Sequence, residues 1–209
     1  MKSFNIKFLL VSLLLFLSVF FSLSSEFPEQ QLLQHLGTLF VSSILLFDLV
    51  KNRLSLTSFI GVFLFILLHI IGARWIYSFV PYESFFNAFG IDIHQLLKLN
   101  GHRNHYDRFV HLSFGVLMLP YVYEVFKHRI KNSLLCLLLA WLSIQTFSMI
   151  YEVFEWLLTV IISGEAATDY NGQQGDIWDA QKDMALAMLG SSLVSIVYLY
   201  RQLKKRKWN

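Results

Sequence analysis

Six long apolar stretches dominate the chain, separated by three short polar turns and two longer segments. They run approximately Ile6–Leu23, Leu32–Val50, Leu56–Ile71, Phe109–Phe126, Leu134–Glu155 and Met184–Tyr200. A spanning helix needs about 20 mostly apolar residues at about 1.5 Å each to cross the hydrocarbon core. Each stretch meets that need, with its polar residues near the ends. Barrel strands would alternate apolar and polar positions in short segments, and these stretches are apolar throughout. The expected fold is therefore all-α, a polytopic bundle of six transmembrane helices forming one integral membrane domain over residues 1–209. No internal repeat is evident.

Composition agrees. The 209 residues are 56% hydrophobic, with 20 Phe and only 15% charged positions, against about 25% charged in a soluble domain. A disordered chain, a disulfide-rich secreted domain and an ordinary cytosolic enzyme are excluded. The single cysteine, Cys136, lies in the apolar run Leu134–Trp141. It has no intrachain disulfide partner and reads as a small buried hydrophobe.

Charge adds an orientation. The net charge is only +3, but 12 of the 17 basic residues fall on one side: Lys2, Lys7, Lys51, Arg53, Lys127, Arg129, Lys131 and the five of the C-terminal tail. Arg74, Lys98, Arg103, Arg108 and Lys182 fall on the other. The positive-inside rule places both termini in the cytoplasm. An uncleaved first span is favoured over a signal peptide, because Ser22 and Ser24 are a poor substitute for an A-x-A cleavage pattern. The tail RQLKKRKW reads as a topology anchor that can touch anionic headgroups at about 1 kcal/mol per charge. It is too short for nucleic acid. The lipid bilayer is the expected partner, and nothing in the chain names a protein one.

Two outer segments stand apart from the clipped inner turns. Gly72–Tyr106 is rich in aromatics and predicts one or two short interfacial helices, with Pro81 breaking between them. The segment SGEAATDYNGQQG, Ser163–Gly175, is polar and glycine-punctuated. It reads as a surface loop or, alternatively, a lid.

Ionisable groups inside spans cost roughly 2.5–3.5 kcal/mol each at mid-helix, so their placement is informative. On the inner side, Asp48 near Lys51 and Glu124 near His128 read as local pairs. On the outer side, the fourth span opens with HYDRFVH, where Asp107 and His111 share a helix face and Arg108 lies on another. His102 and His105 precede it, and His35 and His69 lie near the outer ends of spans two and three. Glu152 and Glu155 share a face of span five, which is long enough to carry them to the outer boundary, level with Asp107. Asp176, Asp179 and Asp183 precede or open span six at spacings that one helix would align. The nearby bases are chiefly Arg74, Arg108 and Lys182. An excess of acid holds protons or recruits a cation, and carboxylates with imidazole suit zinc, manganese or magnesium. The candidate ligands of a divalent metal ion are Asp107, His111, Glu152, Glu155 and Asp183, with Glu155 or His111 as general base. Arg108, Asp176, Asp179 and His69 are candidate binding residues. The competing reading is structural: Asp107 and Asp183 would complement helix N-termini, and Arg74 or Arg108 would bridge to Glu152.

The combination HYDRFVH, YEVFEW and GDIWDAQKDMALAMLG is similar to the YjdF family of bacterial inner-membrane proteins, whose function is not established. That resemblance implies six spans in the inner membrane and supplies no reaction. The second half of the chain more distantly resembles VanZ-like membrane proteins. Asp107, Arg108 and His111 match a D-K-x-x-H start with Arg for Lys, and Glu152 and Glu155 fall in the following glutamate-bearing helix. Asp183 and Gly190 fit the third motif, but Ala187 stands where Asn is expected. Three functions compete: a cation-dependent enzyme acting on a lipid or envelope substrate, a proton- or ion-coupled transporter, and a structural subunit. Mid-span positions of the last three spans offer chiefly Ser113, Ser143, Gln145, Ser191 and Ser195, a gap that weighs against a charged relay across the bundle. An enzyme or ligand-binding role stands narrowly ahead of transport.

Overall fold

The structure is a computed structural model that describes residues 2–97, 103–161 and 174–206. Among these residues there are eight helices and no strand: α1 Lys2–Leu23, α2 Pro28–Lys51, α3 Leu56–Arg74, α4 Tyr82–Ala88, α5 Ile93–Leu97, α6 Tyr106–Lys127, α7 Ser133–Ile161 and α8 Asp179–Arg206. The six long ones are each long and apolar enough to cross a membrane. They coincide with the six apolar stretches and overrun them by a few residues where local chemistry supports a longer helix. Proline begins α2, where a missing N–H costs nothing. Ser55 caps α3 by accepting the Ser58 N–H at 3.3 Å. Asn52 ends α2 in the left-handed region. The candidate lid, Ser163–Gly175, lies almost wholly outside the described residues.

The segment after α3 departs from expectation. Pro81 does not separate the two short helices; it precedes both, and the break between them falls at Gly90, whose φ is +72°. The chain instead turns at Ile76 and Tyr77, both at positive φ, with the Tyr77 N–H donating to Gly72 O at 2.8 Å. The Tyr77 ring then lies over Gly72, where a Cβ would come within 2.7 Å of it.

In the bundle, α6 is central and packs on α3, α7 and α8, while α1 and α2 pack on each other and on α3. The core joins Phe59, Val62 and Ile66 of α3 to Leu119 of α6 and Ala140 and Ile144 of α7, all nearly inaccessible. Large side chains such as Leu9 and Phe16 face outward, as lipid-facing positions do.

At the end carrying most of the basic residues, the ion pairing differs from the local pairs expected. Asp48 binds Lys7 of α1 at 2.7 Å, not Lys51. The Lys7 ammonium also donates to Asn52 Oδ1 and Leu54 O, and the other Asp48 oxygen accepts the Arg53 and Leu54 N–H groups. A buried ion pair persists only when its remaining hydrogen-bonding capacity is met, and here it is. Glu124 accepts from the Ser55 N–H and hydroxyl, while His128 Nδ1 donates to the Glu124 carbonyl.

The closest helix contact is between α6 and α8. A Cβ on Gly115 would lie 2.2 Å from Ala187 O and 2.6 Å from Ser191 N, and one on Gly190 would lie 2.3 Å from Leu112 O. Both positions therefore require glycine, and the two backbones touch as small residues allow in membranes. Hydrogen bonds from Gln145 to Ser191 and from Trp141 to Ser192 tie α7 to the same helix. Gly115→Val should force the helices apart and cost about 1–3 kcal/mol or more, read as a lower melting temperature in detergent. Unchanged melting would contradict this packing.

Candidate functional site

The close crossing dictates what meets above it. On α6, Gly115 continues back through His111 to Asp107 at four-residue steps, one face of a helix. On α8, Ala187 continues back through Asp183 to Asp179 in the same way. The two helices are parallel and both begin at this end. The antiparallel α7 ends here, presenting Ser148, Glu152 and Glu155 on its buried face. Three helices thereby deliver Asp107, His111, Glu152, Glu155, Asp179 and Asp183 to one place, every one of them at most 9% exposed.

The cluster has two layers. In the deeper one, ligand atoms of Asp107, His111 and Asp183 all lie within 4.8 Å of one another. His111 Nε2 is 3.5 Å from Asp107 Oδ1 and 3.5 Å from Glu152 Oε1, a spacing of contact more than of a full hydrogen bond. Glu152 Oε1 and Asp183 Oδ1 are buried with no hydrogen-bond partner. Glu155 lies beside them and accepts a hydrogen bond from Tyr151. A buried carboxylate oxygen left unmatched is costly, so these two oxygens need an explanation.

The outer layer is neutralised. Arg103 binds Asp179 at 2.5 Å, and Arg108 bonds Asp176 and reaches Asp179 at 3.5 Å. Lys182 binds Asp176 at 2.6 Å. That ammonium hydrogen bond, helped by the Trp178 N–H and Arg108, holds the Asp176 carboxyl down at about 2. Asp176 therefore stays ionised at any neutral pH. It does not align with Asp179 and Asp183 on one helix as its spacing predicts, because α8 begins only at Asp179. Asp176 caps that start, its carbonyl accepting the Asp179 N–H.

Other candidates fall elsewhere. Gln34 O can only accept, so His69 Nε2 carries the proton it donates there at 3.0 Å. Nδ1 then accepts from the Tyr77 hydroxyl at 2.5 Å. Both ring nitrogens are thus engaged away from the acids. His35 pairs with Ser22 at 2.9 Å. Arg74 does not bridge to Glu152; its guanidinium lies over the Trp75 ring at 5.1 Å. Its expected place near the acids is taken by Arg103. Three participants escaped the sequence reading: Arg103, Tyr151 and Ser148. Ser148 and Tyr151 were legible in principle, each standing four residues before a glutamate on α7.

Chemically, two carboxylates and one imidazole at this spacing approximate one face of a coordination shell. Ligands about 2.1 Å from a divalent ion sit up to about 4.2 Å apart, so the group would contract by roughly half an ångström around one. The helix dipole does not account for Asp183: Asp179 occupies the first turn of α8, and Asp183 lies a full turn deeper, beyond the dipole's reach.

A family model described as Predicted membrane protein (DUF2238) matches residues 6–205. Inner membrane protein YjdF of Escherichia coli (strain K12) is 28% identical over 142 residues, covering 67% of this chain and 63% of that protein. The matched region thus spans less than two thirds of that relative's length. No solved structure matches.

Proposed function

The chain belongs to the DUF2238 family of membrane proteins, and from that premise we propose a multi-pass inner-membrane protein with a divalent-cation site on its periplasmic face, where it acts on a lipid or envelope substrate. The observation that carries this reading is the deeper layer of the cluster. Asp107, His111 and Asp183 converge within 4.8 Å, and Glu152 and Asp183 each keep a buried oxygen without a partner. Arg103, Arg108 and Lys182 are spent on Asp176 and Asp179. The four deeper acids face one imidazole. A cation satisfies both the charge and the open oxygens.

In this reading Asp107, His111, Asp183 and Glu152 would hold the ion. Glu155, held by Tyr151 beside the group, is then better placed than His111 to act as general base, because His111 Nε2 is turned into the ligand set. A divalent ion held there would supply Lewis-acid activation of water. Glu155 would take the proton of a water that adds to a phosphate or ester of a lipid-linked substrate, and would hand it to the alcohol that leaves. A carrier role finds less support: between this cluster and the Lys7–Asp48 pair at the far end, the buried residues of α6, α7 and α8 are apolar or hydroxyl-bearing.

In detergent, micromolar zinc, manganese or magnesium should raise the melting temperature of the wild-type protein. A ligand at 100 times its Kd adds about 2.7 kcal/mol. Asp183→Asn keeps the side-chain shape and should abolish the response. Equal stabilisation of both proteins, or of neither, contradicts the site. For the orientation, a C-terminal fluorescent-protein fusion should fluoresce and an alkaline phosphatase fusion at Ser78 should be active. The reverse pattern would turn the site to the cytoplasm.

A further inference from the structure

Below the acid cluster, a long groove runs down the bundle between α2 and α7, floored by α3 and α6. Its volume is about 880 Å³, and its lining extends along α6 from Asp107 and His111 to Phe126. The groove is polarised. Near the cluster it is lined by Gln34, His69, Tyr77 and Tyr151; Phe40 and Phe147 line its middle, and Ile44, Tyr121, Val122 and Phe126 its far part. The groove follows the roughly 28 Å that separates Asp107 from Phe126 along a helix. Leu36, Phe40, Val125, Phe147 and Phe154 border it and are exposed on the outside of the bundle, so in a membrane its mouth opens onto hydrocarbon chains. Its length exceeds the roughly 15 Å of one leaflet, half of a hydrocarbon core of about 30 Å.

A second observation points to an occupant. Ser148 lines this groove and is 2% exposed, yet its hydroxyl has no hydrogen-bond partner. Several other hydroxyls of the bundle turn back onto their own helices, among them Ser143 to Leu139 O, Thr146 to Leu142 O and Ser195 to Ser191 O. Ser148 does not. It lies one turn, about 6 Å, deeper than Glu152, where the boundary between a polar headgroup and its chain would fall.

We propose that this groove holds the hydrocarbon chain of a membrane phospholipid, with Ser148 bonding the linkage region and the phosphate lying at the cation cluster. The second half of this statement rests on the cation reading above; the seating of the chain does not. The groove provides head-to-tail polarity, an opening onto the bilayer along its length, and a floor fixed by the α3–α6 contact.

The test uses the full chain in vesicles of phosphatidylethanolamine and phosphatidylglycerol containing a phospholipid with a diazirine in its acyl chain. After illumination, labelled peptides are mapped by mass spectrometry. Label should concentrate on groove positions of α2 and α7, such as Phe40 and Phe147, above the level on the outward face of α1. Val122→Trp and, independently, Ile44→Trp fill the groove far from the cluster. Each should cut groove labelling by about tenfold or more, the loss an overfilled site incurs, with α1 labelling and cation stabilisation unchanged. Asp183→Asn should retain the chain label while losing the cation response. Retained groove label with no cation response in the wild type would sink the cation site and leave the groove standing. Uniform labelling, or groove labelling untouched by both tryptophans, would overturn the groove proposal. So would an unlabelled groove in a protein that cross-links to itself through α2 or α7.

Discussion

The contact of Gly115 with Ala187 and Ser191, and of Gly190 with Leu112, sets the distance between α6 and α8, and the acid cluster exists only at that distance. Any side chain at either glycine would enter the facing backbone. With the backbones touching, the next turn brings His111 and Asp183 together, and the turn beyond brings Asp107 towards Asp179. The antiparallel α7 is held by Gln145 and Trp141 donating to serines of α8, which places Glu152 against His111. Small residues with no chemistry of their own thus locate every charged group of the site.

Charge is distributed by depth. Arginine and lysine neutralise the acids nearest the surface, where long side chains reach with little cost. A turn deeper, the acids gather around His111 alone, and two of their oxygens lack partners. Burying ionisable groups in a membrane is expensive, and a packed bundle could have carried apolar side chains at all of these positions. The far end shows what a structural ion pair looks like in the same protein: Lys7, Asp48, Asn52 and Leu54 satisfy one another. The contrast between a completed network at one end and an open one at the other supports reading the cluster as a binding site.

Much of this was legible in the sequence. Apolar length alone located six helices, because spanning a hydrocarbon core admits few solutions. Counting residues from the basic turn put Glu152 and Glu155 level with Asp107, and the structure brings them together. Pairing was less legible. Asp48 lies next to Lys51 in sequence but reaches Lys7, 41 residues away, because α1 and α2 are adjacent in the bundle. Arg74 and Arg103 sit on the same side and only packing shows which one meets an acid. Pro81 was legible as a break but not as the start of α4. Gly115 carries no signal in the sequence and Gly190 only its place in a motif, since a glycine in an apolar run acquires its packing role only from the helix it touches. Ser148 shares a helix face with Glu152, but its open hydroxyl is visible only in three dimensions.

The decisive property is whether the open carboxylates hold a metal. Elemental analysis of detergent-purified protein, prepared without chelator, should be compared with an Asp107→Asn, Glu152→Gln, Asp183→Asn triple variant of matched fold. About one divalent metal per chain is expected in the wild type and none in the variant. Equal metal in both, or none in a folded wild-type protein supplied with zinc, manganese and magnesium, would contradict it.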